Sequence, residues 1–383
     1  MTYRILFKLV LQHIPAETAH SLAGRTMSLL GNVPGFRALL RRLFARADQA
    51  IEVRAFGLTF PSPLGVAAGL DKNLTWFEEL GALGFGFVEV GTVTALAQRG
   101  NARPRIHRLQ ADRALINSMG FPNKGAAAAA ARLRSRTGQT IVAVNIGRSR
   151  VATDAIADYR ESVRQLAPLA DVLVLNVSSP NTPGLREMQT VDALMGLVRG
   201  VSAELQKIGE TIPLLVKISP DLADAEIDAL ALAALDLGLA GIVAVNTTTS
   251  REGLPPGTDS GAKPGGLSGP PLKGRALVVL RRLHAITGGR LVLVSVGGVE
   301  TAADALERVR AGATLVQAYT GFVYGGPVWP SRINRGLIRH LRATGVASIQ
   351  DLVGTEDEAQ RLGQTMFAWQ PQGTSQLHGP SSV

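Results

Sequence analysis

The hydrophobic pattern changes its period once, near residue 50. Before that point apolar residues recur at helical spacing. Ile5, Leu6, Leu9, Val10 and Ile14 share one face, and Leu22, Ala23, Met27 and Leu30 suggest a second helix. GNVPG at 31–35 breaks the chain. Phe36, Leu39, Leu40, Leu43 and Phe44 then form a third apolar face, with arginines opposite. Residues 1–47 are therefore expected to form a small helical unit. After residue 50, short apolar runs alternate with helical stretches. Strands are predicted near 63–68, 87–91, 141–146, 171–176, 212–218, 241–246, 291–296 and 314–318. Helices are predicted at 73–82, 124–136, 154–167, 191–207, 223–238, 273–287, 301–311 and 330–343. Continuous apolar strands separated by helices imply a parallel sheet covered on both faces. Eight such units over residues 50–345 predict an α/β fold, a (β/α)8 TIM barrel, better than an open sheet. Long insertions near 92–123, 178–190 and 247–272 follow strands. Residues 353–383 are polar and are expected to form a mobile tail.

Composition narrows this only a little. The 383 residues include no cysteine, so disulfides, thiolate metal sites and a cysteine nucleophile are excluded. No apolar run approaches the roughly 20 residues of a membrane-spanning helix. The first residues mimic a signal peptide weakly, but Lys8 interrupts the apolar core. The net charge of +10 is concentrated at the N-terminus, where Arg4, Lys8, Arg25, Arg37, Arg41, Arg42 and Arg46 face only Glu17. No basic run interleaved with aromatics suggests a nucleic-acid module. The N-terminal unit reads either as a helical cap on the main domain or as a basic amphipathic surface resting on a membrane.

In a barrel of this kind the site lies at the C-terminal ends of the strands. Those ends carry Lys72, Thr92, Asn145, Asn176 with Ser178 and Ser179, Lys217, Asn246 with Thr247, Gly297 with Gly298, and Tyr319–Thr320–Gly321. Burying so many amides and hydroxyls without partners is costly, which points to a polar ligand. One asparagine after a strand is more simply a turn or a helix cap. Lys217, inside LLVKI, must meet either a ligand or a structural carboxylate. The glycines of SVGGV and the YTGF turn suit a phosphate. Walker A and GxGxxG motifs are absent, and the six histidines show no metal spacing. The serines at 178–179 lack a G-x-S-x-G setting, so a hydrolase triad is not indicated. The residues alone imply a barrel enzyme binding a phosphorylated ligand and a planar polar substrate. A lysine-dependent aldolase using Lys217, or a non-enzymatic phosphate-binding barrel, would fit the same pattern.

Ten motifs narrow the choice. AAGLDK at 67–72, EVGTVT at 89–94, INSMGF at 116–121, NIG at 145–147, NVSSPNTPGLR at 176–186, VKISPD at 216–221, NTT at 246–248, GGLSG at 265–269, VGGV at 296–299 and QAYTGF at 317–322 together resemble dihydroorotate dehydrogenase. The N-terminal unit and the serine of the fifth of these motifs resemble its class 2, quinone-dependent branch. The resemblance implies FMN as cofactor and oxidation of dihydroorotate to orotate, with a membrane quinone as final acceptor, in pyrimidine biosynthesis. It makes Ser179 the catalytic base, with Thr182 and Phe121 relaying its proton, and Ser178 structural. It places substrate against Lys72, Asn117, Ser118, Met119, Gly120, Phe121, Asn176, Asn181, Asn246 and Thr247. It places FMN against Ala68, Gly69, Leu70, Asp71, Lys72, Thr92, Asn145, Asn176, Lys217, Val245, Gly269, Gly298, Tyr319 and Thr320. Val245 stands where the family often has threonine, so its backbone is expected to serve. No metal is implied. The N-terminal unit would contact anionic lipid and admit quinone, as in a bacterial enzyme held peripherally on the cytoplasmic side of the inner membrane. The alternative within this resemblance is a soluble FMN oxidoreductase passing electrons to fumarate or NAD.

Overall fold

The computed structural model describes residues 2–45, 47–255 and 263–356. Three helices come first: α1 (Thr2–Leu9), α2 (Ala16–Gly31) and α3 (Phe36–Phe44). Gly35, at φ 80°, supplies the left-handed turn that starts α3. A hairpin of β1 (Val53–Ala55) and β2 (Leu58–Phe60) follows. Phe60 packs edge-on to Phe87 at 5.4 Å, so the hairpin sits at the N-terminal end of the strands.

The barrel and its helices then alternate. They run β3 (Leu64–Val66), α4 (Phe77–Ala82), β4 (Phe87–Val93), β5 (Ile106–Leu109), β6 (Ala114–Asn117), α5 (Ala126–Arg134) and β7 (Ile141–Ile146). Next are α6 (Ala155–Leu166), β8 (Val172–Asn176), α7 (Val191–Ile208), β9 (Leu214–Ile218), α8 (Asp224–Asp236), β10 (Gly241–Ala244) and β11 (Gly266–Ser268). The chain continues through α9 (Lys273–Thr287), β12 (Val292–Val296), α10 (Ala302–Arg310), β13 (Leu315–Ala318), α11 (Thr320–Gly325) and α12 (Trp329–Thr344). Strands β3, β4, β7, β8, β9, β10, β12 and β13 pair in parallel and close into a barrel in that order. The expected TIM barrel is thus present, and its strands are buried on both faces, as their continuous apolar runs require.

Local expectations needed correction in four places. The helix predicted at 73–82 begins only at Phe77, because the Asp71 carboxylate accepts from the N–H groups of Thr75 and Trp76 at 2.9 and 2.8 Å. That turn takes the residues a helix start would have used. The insertions at 92–123 and 247–272 are not plain loops. They contribute β5, β6 and β11 to an antiparallel sheet in which Asn117 pairs with Gly266. The third apolar face does not pack as a unit: Leu40 is buried while Leu39 and Leu43 are exposed. Arg37 turns inward instead, donating to Glu79 at 2.7 Å and to Glu78. The expected tail is ordered at its start, where Glu356 is buried and accepts from Arg281 Nε at 2.7 Å. Residues 357–383 lie outside the described residues, as do Arg46 and 256–262. Among the described residues no helix is long and apolar enough to cross a membrane.

Candidate active site

The barrel's parallel register brings the polar strand ends to one rim. Gly91 of β4 pairs with Asn145 of β7, and Asn176 of β8 pairs with Lys217 of β9. Around these residues lies a cavity of about 1160 Å3 of empty space, part of it open to solvent. The β5–β6–β11 sheet forms one wall of it, through Ile106, Leu115, Asn117 and Ser268.

A buried hydrogen-bond network runs across the cavity floor. Lys217 Nζ donates to both oxygens of Glu89, at 3.1 and 3.2 Å. Two strands separate β4 from β9, so this pair crosses the barrel interior. Asn145 Nδ2 donates to Glu89 at 2.6 Å. Asn145 Oδ1 accepts from Thr92 Oγ1 at 2.5 Å and from Asn176 Nδ2 at 3.1 Å. Asn176 Oδ1 accepts from Ser178 Oγ at 3.3 Å, and Ser178 Oγ accepts from Asn246 Nδ2 at 3.0 Å. Beneath them Tyr159 donates to the Asn176 carbonyl at 2.8 Å. Each member fixes the rotamer of the next, so the amides that reach the cavity are held before any ligand arrives.

The upper wall is built from the insertions. Asn181 Nδ2 donates to the Asn117 carbonyl at 3.1 Å and to its side-chain oxygen at 3.3 Å. Asn101 Nδ2 donates to the carbonyls of Ser118 and Asn181, at 2.8 and 3.2 Å. Ser179 Oγ accepts from the Asn181 N–H at 3.3 Å. Thr182 Oγ1 is buried with no partner among the described residues. Phe121 is buried at φ 53°, an uncommon conformation for an aromatic residue. Lys72 Nζ donates to the Gly69 carbonyl. Burial, with Arg105 nearby, pushes the Lys72 amine down to about 8 against the pull of Glu17 and Asp71. Burial also raises the Tyr319 phenol to about 12.

Most residues anticipated from the sequence line this one cavity. They are Ala68, Gly69, Lys72, Thr92, Asn117, Met119, Gly120, Phe121, Asn176, Ser179, Asn181, Lys217, Val245, Asn246, Thr247, Gly269, Gly298, Tyr319 and Thr320. Five do not line it. Leu70 belongs to the core, and the Asp71 carboxylate is spent on Thr75 and Trp76. Asn145 lies one layer below, Ser118 faces Arg105 through its N–H, and Thr182 is enclosed behind the wall. The sequence reading missed Glu89. Its signal was the same as that of Lys217, a charge inside an apolar strand. It also missed the apolar lining of Ile106, Leu115, Leu272, Val296 and Val299, which no polar motif marks. Among the described residues no cluster of metal-ligating side chains occurs.

Fold and site together define a barrel enzyme with a preorganised amide floor, a buried ion pair and glycine turns at the opposite wall. A family model described as dihydroorotate dehydrogenase matches residues 50–341. The dihydroorotate dehydrogenase (quinone) of Thermobifida fusca (strain YX) is 52% identical over 365 residues, covering 93% of this chain and 97% of that protein. The protein of the same name from Mycobacterium tuberculosis (strain ATCC 25618 / H37Rv) is 50% identical over 345 residues, covering 89% and 95%. A crystal structure of DHODH from Eimeria tenella in complex with ferulenol superposes with a TM-score of 0.81 at 36% identity, over 88% of this chain and 95% of that one. The chain belongs to the dihydroorotate dehydrogenase family and is an oxidoreductase.

Proposed function

We propose that this chain oxidises dihydroorotate to orotate with FMN as cofactor and a membrane quinone as final acceptor, in pyrimidine biosynthesis. The observation that carries the reading is the division of one cavity into two ends. At one end Ser179, Lys72 and the amides of Asn117, Asn176, Asn181 and Asn246 surround a space suited to a small anion rich in donors and acceptors. At the other, Gly269 and Gly298 bring bare backbone to the wall beside the start of α9. A Cβ at Gly298 would lie 2.5 Å from Lys273 Cβ, and φ there is 74°. Such a turn leaves peptide N–H groups open to a phosphate. The residues present therefore fit FMN.

FMN, when bound, accepts the hydride that leaves C6 of the substrate. Ser179 takes the proton from C5, so that loss of a hydride and a proton forms the ring double bond. Its own hydroxyl proton must then leave, and Thr182, three residues on and buried without a partner among the described residues, relays it to water by accepting it and releasing its own, with Phe121 shielding the path. Lys72, Asn117, Ser118, Met119, Gly120, Phe121, Asn176, Asn181, Asn246 and Thr247 form the substrate end, with Ser118 acting indirectly, through the carbonyl that holds the Asn101 amide. Ala68, Gly69, Thr92, Val245, Gly269, Gly298, Tyr319 and Thr320 form the cofactor end. Lys217 supplies fixed positive charge beneath it, and Asn145 holds Thr92 and Asn176 in place. The N-terminal unit is the quinone and membrane face. It exposes Leu9, Leu29, Leu39 and Leu43 at 72%, 70%, 53% and 60% next to arginines. This suits peripheral attachment to anionic lipid on the cytoplasmic side of a bacterial inner membrane.

The test is spectroscopic. Purified protein should carry or take up FMN, lose its flavin absorbance on anaerobic addition of dihydroorotate, and regain it with a short-chain quinone. Protein that cannot be loaded with FMN, or that is reoxidised equally well by fumarate or NAD, overturns the proposal.

A further inference from the structure

Among the described residues Arg308 is the largest fully buried side chain. It lies on α10, behind the Gly297–Gly298 turn. Its Nη2 donates to the carbonyls of Gly297 and Lys273, at 2.8 Å each. Its Nε and Nη1 have no partner, and no carboxylate pairs with it among the described residues. Asp304 and Glu307, the acids on the same helix, are turned to Lys273. Arg281, the other nearby cation, is held by Glu356. Burial lowers the Arg308 guanidinium to about 10, which leaves it charged at neutral pH.

A neutral donor could stitch two carbonyls together. A buried charge whose nearest carboxylates, Asp304 and Glu307, act only at a distance while paired with Lys273 needs another explanation. Peptide geometry supplies one. In a trans peptide the C=O and the following N–H point in opposite directions. With the Gly297 carbonyl drawn toward Arg308, the Gly298 N–H is directed away from it, and Gly298 lines the cavity. The Gly298 N–H donates to no backbone acceptor among the described residues. The second bond, to Lys273, pins the start of α9 against the same turn.

We propose that Arg308 is a positioning residue for the cofactor's phosphate, orienting the Gly298 N–H and placing a buried positive charge behind it. The peptide between them is polarised by the guanidinium, which strengthens its N–H as a donor to an anion. The inference rests on the FMN reading above and concerns one end of that ligand alone.

FMN and riboflavin differ only by the phosphate, so their affinities for the full-length chain stripped of flavin isolate the effect. Flavin fluorescence quenching gives both dissociation constants. Arg308→Met should weaken FMN about 10- to 100-fold, the range for a hydrogen bond assisted by charge, and leave riboflavin unchanged. Arg308→Lys, which keeps the charge, should retain most of the preference for FMN. Should the methionine variant not fold, Arg308→Gln keeps an N–H donor without the charge and carries the same comparison. Equal loss for both flavins, no loss for either, or a lysine variant no better than methionine overturns the proposal. Unaltered chain that binds neither flavin overturns the cofactor reading, and this inference with it.

Discussion

Glu89→Gln probes the charge balance inside the barrel. Glu89 and Lys217 are 0% and 4% exposed, and the ammonium contacts both carboxylate oxygens. Glutamine keeps the shape and an oxygen for Asn145 Nδ2 but removes the charge. Lys217 is then a buried cation without its contacting counter-charge, and breaking one partner of such a pair costs about 3–5 kcal/mol. Urea unfolding at pH 7, followed by the fluorescence of buried Trp76 and Trp329, measures the loss. Replacing the pair together, Lys217→Met with Glu89→Leu, should recover most of the loss, less about 1 kcal/mol for the orphaned Asn145 amide. A Glu89→Gln loss under about 1 kcal/mol at pH 7 would refute the view that these charges stabilise each other.

Three further outcomes are expected. Ser179→Ala should slow dihydroorotate-driven flavin reduction by about 100- to 10,000-fold while FMN stays bound; a loss under tenfold in stopped-flow absorbance removes Ser179 as the base. Orotate affinity should be level below pH 8 and decline above it, by up to about tenfold per unit, because free Lys72 loses its proton near there and the anion prefers the charged form. Calorimetric titration across that range should show this decline and proton uptake on binding above pH 8, and Lys72→Met should abolish both. Leu39→Gln with Leu43→Gln should weaken flotation with anionic vesicles by about tenfold or more, since each exposed leucine can bury roughly 1.5–3 kcal/mol of apolar surface. Flavin reduction should be unchanged, and a variant that floats as well as the unaltered chain places the membrane contact elsewhere.

The barrel was legible because its strands are unusual in composition. IVAVNI and VLVLN are apolar at every position until the end, as a strand covered on both faces must be. Once eight such strands are parallel, their last residues share a rim, so Asn145, Asn176 and Lys217 could be placed together without coordinates. Side-chain direction was not legible. Leu70 and Asp71 sit in a motif between Gly69 and Lys72, yet one faces the core and the other folds back on Thr75 and Trp76. Nor was pairing at a distance. Glu89 and Lys217 are 128 residues apart, and β6 meets β11 from a different insertion. Helical periodicity in α3 identified an apolar stripe but could not decide what faces the protein. That depended on Glu78 and Glu79, which draw Arg37 inward and leave Leu39 and Leu43 outside.

The same logic ties the N-terminal unit to the chemistry more closely than its sequence suggests. Glu17 on α2 accepts from Arg105 Nη2 at 2.7 Å, and Arg105 is 4% exposed. Arg105 Nη1 donates onward to the Asn101 carbonyl at 2.9 Å, and the Asn101 amide holds Asn181 and Ser118. His20, one turn further along α2, is brought down to about 3 by burial and by the charge of Lys72, so it is neutral at physiological pH. Lys72 and Arg105 thus share Glu17 as a counter-charge, and none of the three is freely solvated. Removing the unit would strip that counter-charge from buried Arg105 and from Lys72 at the cavity wall, and loosen the wall that carries Asn181. The exposed leucines of α3 take part in none of these contacts. Substituting them separates the unit's outward role at a lipid surface from its inward role in holding the substrate end of the cavity.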